Sequence, residues 1–532
     1  MVDLTTAQVN SALQYPSNYW SGSQVTFSFP TAGASWNGYA SGSEPFNSGY
    51  SVLNAAQQTV MRSELAIWDR LITPSLVEVA DPGQIRIAFT DTQTATNANS
   101  WGYAYSPPSN GGNGSAKSGD IWIDDSHANS SFTPGTYDFV AALHEMGHTL
   151  GLKHTFEDGP TLPSAYDNYR YSIMSYTPNT DYLLVTVSSN GSSIQGTRTG
   201  VYPTTPMLLD VQAIQARYGA DPTTFAGDTT YTFDQSRPIF QTIYDAGGND
   251  TLDLSAHTRG SIIDLTPGAF SSVAQFSAAD QAAFYKARIS GADSYIDGLF
   301  ADNRTFTWTD NLAIASNTTI ENVRGGSAAD RITGNDANNN LSGGAGSDTI
   351  SGGNGDDYIR GEDGNDSLIG GAGFDDINGN KGSDTISGGD GNDWVVGGQE
   401  DDLIHGDAGN DLVYGNIGND TLYGDDGADT IRGGQDNDLI FGGAGDDWIF
   451  GDRGDDTITG GAGADRFYIF AGAGVDRVTD FNAAEGDRVI IDGNLPYSIS
   501  FVNGDAYISV GASDMMILSG VSSPTALGNW LA

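Results

Sequence analysis

The sequence predicts a mixed α/β domain followed by an all-β C-terminal domain containing a parallel β-roll. Three observations predict it. Residues 54–72 and 144–154 carry helical patterns among strand-like segments. Residues 325–468 repeat every nine residues, sixteen times without insertion. With 532 residues the chain is long enough for two or three domains, and no apolar stretch reaches the length of a membrane span.

The elements follow in order. The first twenty residues have no basic start and no apolar run of signal-peptide length, and nothing ahead of Thr6–Trp20 reads as a pro-segment. Val25–Phe29 and Gln84–Phe89 alternate like strands. From Asn54 to Ile72, Met61, Leu65, Trp68 and Ile72 form one helical apolar stripe. Gly102–Ser106 and Asp120–Ile123 read as strands.

His144-Glu145-Met146-Gly147-His148-Thr149-Leu150-Gly151-Leu152-Lys153-His154 has the spacing HExxHxxGxxH. On a helix, residues four apart share a face, so His144 and His148 point at one ion. Glu145 sits one step round, within reach of a water on that ion. Gly151 accepts positive φ, ends the helix and brings His154 back as a third imidazole. Three neutral nitrogens with one open position describe a catalytic rather than a structural zinc site. His127, His257 and His405 lack partner spacing, and His405, at position nine of its repeat, reads as solvated.

Further along, Thr177–Thr205 is polar and loop-like, and Pro206 opens a helix that runs to about Tyr218. Gly219–Pro222 is the expected domain boundary. Alternating apolar stretches after residue 468, such as Arg488–Ile491, suggest strands that cap the roll.

The formal net charge is −45, which argues against a nucleic-acid partner. Cysteine is absent, so disulfides cannot staple the fold. The repeats follow GGxGxDxUx, where U is apolar. Position one is Gly in all sixteen; position eight is apolar in all sixteen; position six is Asp in fifteen, with Asn339 the exception. A six-residue turn followed by a three-residue strand, two nonapeptides to a coil, stacks position eight into a thin core. Stacking also gathers the aspartates. Residues 325–468 hold 30 Asp+Glu against 6 Lys+Arg, a net −24, so the turns need cations. Calcium fits, because it accepts six to eight oxygens. The pattern puts an ion between turns eighteen residues apart, as at Asp348 and Asp366 or Asp357 and Asp375.

The zinc motif, together with Ser172-Ile173-Met174-Ser175-Tyr176, resembles the metzincin zinc peptidases, in which a methionine turn floors the metal. Tyr176 narrows the resemblance to serralysins and astacins, where that tyrosine serves as an extra zinc ligand and swings to stabilise the tetrahedral intermediate. The segment TPMLLDVQAIQARYGA resembles the helix closing serralysin catalytic domains. Asp245–Asp253 resembles the start of their C-terminal β domain, with Asp245 and Asp250 as calcium ligands. The nonapeptides resemble the RTX repeats, whose members form calcium-bound β-rolls. The resemblance to serralysins covers nearly the whole chain, though sixteen uninterrupted repeats exceed what that family usually carries.

It implies a metzincin catalytic domain over 1–222, a β connecting region over 223–324, an RTX β-roll over 325–468, and a C-terminal β cap with a type I secretion signal over 469–532. One Zn2+ is expected on His144, His148, His154 and Tyr176, with Glu145 as general base. Several Ca2+ ions are expected on Asp348, Asp357, Asp366, Asp375, Asp384, Asp393, Asp402, Asp411, Asp420, Asp429, Asp438, Asp447 and Asp456. The implied protein is a secreted, extracellular, monomeric endopeptidase. It acts on protein or peptide substrates, leaves by a type I exporter and meets a proteinaceous inhibitor. Two rivals are an RTX surface protein with a degenerate metzincin domain and a calcium-dependent carbohydrate-active enzyme.

Overall fold

A computed structural model describes residues 4–531 except 37, 40–48, 93–99, 112–115, 158, 494, 512 and 529. The chain divides into two compact units: Met1–Asp228 with Asp234–Gly248 and Pro267–Thr318, and Thr229–Phe233 with Asn249–Thr266 and Thr319–Ala532. Residues 223–324 are thus shared between the two.

The first unit holds α1 (Thr6–Leu13), β1 (Gln24–Ser28), α2 (Ala55–Asp69), β2 (Ser75–Glu78), β3 (Ile85–Thr90), β4 (Gly102–Ala104), β5 (Asp120–Asp124) and α3 (Tyr137–Thr149). Asn54 caps α2: its side chain accepts from the Gln57 N–H at 3.0 Å, and the Gln57 side chain accepts from the Asn54 N–H at 3.0 Å. The stripe Met61, Leu65, Trp68 is buried as expected, and Trp68 Nε1 donates to the Leu143 carbonyl of α3 at 3.2 Å.

The sheet order is β2-β1-β3-β5-β4. β1, β2, β3 and β5 run parallel, whereas β4 pairs antiparallel with β5 and forms an edge. β3 and β5 are buried along their whole length, as a parallel sheet covered on both faces requires. Ile85, Ile87, Ile121 and Ile123 pack into the main core with α2 and α3, while Ala88 and Trp122 pack with Trp36 and Tyr39.

Thr177–Thr205 departs from the loop reading. It contains an antiparallel hairpin, β6 (Leu183–Ser189) and β7 (Ile194–Gly200). Val185 and Val187 are its buried stripe, and they pack on Ala282, Ile296, Leu299 and Phe300 of α5 (Ala278–Lys286) and α6 (Asp293–Phe300), with α4 (Leu208–Tyr218) lying between in the chain. Two buried valines in a polar stretch are too weak a local signal, because the surface that covers them lies about a hundred residues away along the chain.

The second unit is built on two long sheets, of twelve and thirteen strands, that take alternate nonapeptides. Within the repeats each strand pairs in parallel with the one a coil further on, as Ile350 with Leu368 and Leu368 with Ile386. Every position-eight side chain from Ile332 to Phe467 is buried. The strands run six residues rather than three, for example Thr349–Asn354, so pairing continues through positions two and three of the next repeat. Gly at position one has a steric cause: a Cβ at Gly370 would collide with the Asp375 carboxylate, which folds back over it. Arg488–Ile491 extends one sheet, and Tyr497–Val502, Asp505–Val510 and Asp514–Leu518 extend the other.

Candidate functional site

α3 ends at Thr149, and Gly151 follows with φ +97°. A Cβ there would lie 2.5 Å from the Asn18 carbonyl oxygen, so the sharp turn and the packing both call for glycine. The turn brings three imidazoles together. Nε2 of His154 lies 3.1 Å from Nε2 of His148 and 3.1 Å from Nε2 of His144. An ion with metal–nitrogen distances of about 2.0–2.1 Å in tetrahedral geometry needs ligands about 3.3 Å apart, close to this arrangement.

Two of the other ring nitrogens are fixed by acceptors. His144 Nδ1 donates to the Ile173 carbonyl at 2.7 Å and His148 Nδ1 to the Leu152 carbonyl at 2.9 Å. His154 Nδ1 lies 2.6 Å from Glu157 Oε2. A carbonyl only accepts, so the His144 and His148 ring protons sit on Nδ1 and their converging Nε2 atoms keep their lone pairs. Burial, reinforced by the other two rings, holds His144 well below its ordinary pKa, and burial with His154 pushes His148 down to about 3. His144 and His148 are therefore neutral, the state that binds a metal, and the three-histidine set fits a divalent ion.

Glu145 is buried, its Oε2 has no hydrogen-bond partner among the described residues, and burial raises its pKa to about 8. Tyr176 is 59 % exposed, and its hydroxyl lies 2.7 Å from His154 Nε2. Glu145, Tyr176 and Gly102 line both arms of a cleft. One arm, of about 400 Å³, runs past Tyr137, Val140, Ala141 and Tyr169; the other, of about 300 Å³, follows Tyr103–Ser106 toward His148 and His154. The edge strand beside the cleft is thus Gly102–Ala104, and Asp120–Asp124 lies inside the sheet.

Met174 is fully buried, and a Cβ on Gly147 would lie 2.8 Å from its Sδ. Sequence reasoning passed over Gly147, Glu157 and Asp210. Asp210 accepts from the Ile173 N–H at 2.7 Å, from Ser172 Oγ at 2.6 Å and from the Met207 N–H at 2.9 Å. Its one sequence signal is a lone carboxylate in the apolar start of α4, Met207–Val211.

The repeat aspartates form a ladder. The Asp348 N–H donates to Asp366 Oδ1 at 2.8 Å, the Asp357 N–H to Asp375 Oδ1 at 2.9 Å, and so on at intervals of eighteen residues. Oδ2 of Asp348, Asp357, Asp366, Asp375, Asp384, Asp393, Asp402, Asp411, Asp420, Asp429, Asp438, Asp447 and Asp456 is buried with no hydrogen-bond partner among the described residues. A row of buried, unpaired carboxylate oxygens fits a row of cations. Asp245 and Asp250 are both buried and fall in different units; Asp245 Oδ1 accepts from the Gly247 N–H at 3.0 Å and Asp250 Oδ1 from the Thr229 N–H at 2.8 Å. His405 is half-buried rather than freely solvated: its Nδ1 lies 2.8 Å from Asp425 Oδ2, its ring stacks on Tyr423, and with Asp407 the group is compact enough to hold an ion.

Comparison with known proteins agrees with both features. A family model for metallo-peptidase family M12 matches residues 25–188, one for the peptidase M10 serralysin C terminal matches 209–291, and one for the RTX calcium-binding nonapeptide repeat matches overlapping windows between 317 and 479. Serralysin of Proteus mirabilis is 30 % identical over 348 residues, 59 % of this chain and 60 % of the relative. Metallopeptidase AprA of Pseudomonas marginalis is 31 % identical over 320 residues, covering 55 % and 57 %. Serralysin C of Dickeya chrysanthemi is 33 % identical over 193 residues, covering 32 % and 36 %. The chain thus spans less than two thirds of the length of the curated relatives it matches. With three imidazoles on one point, a methionine floor and an acidic parallel roll, the chain is similar to the serralysin-type metzincins with RTX calcium-binding repeats.

Proposed function

We propose that the chain is a secreted zinc-dependent endopeptidase acting on protein or peptide substrates. The observation that carries this is the buried Glu145 carboxylate, its Oε2 without a hydrogen-bond partner among the described residues, beside three convergent Nε2 atoms in a cleft flanked by the edge strand Gly102–Ala104. An edge strand suits an extended peptide added as a further strand. The arm lined by Tyr137, Val140, Ala141 and Tyr169 suits an apolar side chain of that peptide.

His144, His148 and His154 would hold the zinc, with Tyr176 beside them. The ion, when bound, supplies Lewis acidity that polarises the scissile carbonyl and acidifies water. Glu145 accepts the proton of the attacking water and delivers it to the departing amine. Its burial favours the protonated state that makes the delivery, and a bound dication would favour the carboxylate that accepts the proton first. Tyr176 is poised to donate a hydrogen bond to the oxyanion of the tetrahedral intermediate.

The remaining assignments are part of the same reading. The catalytic domain is 1–222, the connecting region 223–324, the roll 325–468 and the cap 469–532. Calcium is held by the aspartates from Asp348 to Asp456 and by Asp245 and Asp250. A type I exporter carries the chain out unfolded, and extracellular calcium, bound at roughly 10⁻⁴ to 10⁻³ M in such modules, folds the roll after exit. A proteinaceous inhibitor is a further expected partner.

The test is a casein digest with Glu145→Gln. The variant should keep stoichiometric zinc and lose activity by about 10² to 10⁴-fold, the usual worth of a general base. Wild-type turnover in the variant, or in chelated wild type, would refute the assignment.

A further inference from the structure

The acidic ladder does not coincide with the nonapeptide register. At its far end, Ala471–Thr479 repeats the motif with Ala in place of the first glycine, after two extra residues. The Asp456 N–H donates to Asp476 Oδ1 at 3.4 Å across a separation of 20 residues. Asp476 is 0 % exposed, and its Oδ2 has no hydrogen-bond partner among the described residues, just as in the turns before it.

Three other turns in the ladder are closed by the protein itself. Asp330 is in register, yet its Oδ2 accepts from the Gly326 N–H at 2.8 Å. Asp487 accepts at Oδ1 from the Asp465 N–H at 3.1 Å, and at Oδ2 from the Asn482 N–H at 2.7 Å. Asn339 replaces the carboxylate oxygen with an N–H donor: its Nδ2 donates to the Glu321 carbonyl at 3.1 Å and to Asn335 Oδ1 at 3.2 Å, while its Oδ1 accepts from the Asn335 N–H at 2.9 Å.

A backbone difference separates the two kinds of turn at the N-terminal end. From Gly344 on, position two of each repeat lies in the left-handed region, including non-glycine residues such as Asn380 (φ 73°), Asp407 (φ 70°) and Asn416 (φ 80°). Gly326 and Asn335, at the same position of the first two repeats, do not, and each donates its N–H to the position-six side chain. Holding a non-glycine residue left-handed crowds its Cβ against the following carbonyl oxygen and is unfavourable. That cost recurs along the roll where the buried oxygen is left without a protein donor.

We infer that cation loading of the roll runs from the turn of Asp348 to the turn of Asp476, and that the turns of Asp330, Asn339 and Asp487 take no cation because their own hydrogen bonds close them. These closed turns act as end plates: they hold coils in register without metal, and the calcium-dependent stretch lies between them. The inference rests on reading the repeats as calcium-binding.

The test uses the full chain, stripped and reloaded with calcium, with ions per chain counted by atomic emission. Asp476→Asn should lower the count, as should Asp393→Asn from the middle of the roll, whereas Asp330→Asn should leave it unchanged. Anomalous scattering from calcium in wild-type crystals should place an ion against Asp476 and none against Asp330, Asn339 or Asp487; this arm does not depend on a variant folding. An ion at any of those three, or a full count in Asp476→Asn, would overturn the boundary. A wild-type chain that takes up no calcium would instead remove the calcium reading beneath it.

Discussion

Asp210 and His144 are connected through one residue, Ile173: its N–H donates to the Asp210 carboxylate at 2.7 Å, and its carbonyl accepts from His144 Nδ1 at 2.7 Å. The carboxylate thus holds the backbone of Ile173, whose carbonyl orients the ring. Replacing Asp210 with Ala strands the Ser172 hydroxyl and the Ile173 and Met207 N–H groups, at about 1–3 kcal/mol for each buried group. Outer partners of a ligand histidine are typically worth 10- to 100-fold in metal affinity. Asp210→Asn, which keeps part of the network, should therefore release zinc to a competing chelator about tenfold more readily, while its circular dichroism stays native. An unchanged chelator midpoint would count against the connection.

Gly147 leaves no room for a methyl group between α3 and the Met174 sulfur, 2.8 Å from the site of a Cβ, with Trp68 Cζ2 at 3.3 Å. Gly147→Ala adds intrinsic helix propensity worth up to about 1 kcal/mol. Overpacking costs about 1–3 kcal/mol and should win. The expected outcome is a lower melting temperature together with weaker zinc binding. A stabilised variant would mean that Met174 is free to move.

Glu64 on α2 is wholly buried, and neither carboxylate oxygen has a hydrogen-bond partner among the described residues. Burial raises its pKa well above the ordinary glutamate value. The raised folded pKa means that its penalty is absent below the unfolded pKa and grows as pH rises beyond it. Glu64→Met, similar in volume, should stabilise the first unit by roughly 2 kcal/mol at neutral pH. The gain should be larger at pH 8 than at pH 5, and thermal melts at the two pH values check the sign.

The roll should respond to pH in opposite senses with and without calcium. In the chain alone, burial raises Asp393 and Asp429 to about 7 and Asp402 and Asp438 to about 8. Raised folded pKa values mean that the chelated roll is most stable below about pH 4, the unfolded carboxylate value, and loses stability as pH rises toward 7–8. With calcium the same oxygens are ligands, so acid displaces the ion and destabilises the roll. Melting curves in chelator and in millimolar calcium should therefore slope in opposite directions between pH 4 and 8. Parallel slopes would mean that the protons and the cation do not share these oxygens.

The zinc-site histidines were readable from the chain because their geometry is local. A helix fixes His144 against His148, and one glycine turns His154 back, whatever the rest of the protein does. The roll was readable for the same reason, since each coil repeats the last and position eight marks the buried line without interruption.

Other features depend on residues remote in sequence. The order of strands in the sheet made Gly102–Ala104 the edge and put Asp120–Asp124 inside, a choice that two short apolar strands do not record. The β6–β7 hairpin needed α5 and α6 to cover Val185 and Val187. Asp210 reaches Ile173 across 37 residues, and the donors that close the turns of Asp330 and Asn339 reflect a backbone conformation at Gly326 and Asn335 rather than a change of motif. The sequence by itself determined which histidines converge and which side chains line the roll, because periodicity encodes contacts within a turn or a coil. Tertiary structure decided which edge faces the cleft, what holds the ligands still and where the buried carboxylates stop needing a cation, because each depends on which distant group supplies a hydrogen bond or a covering surface.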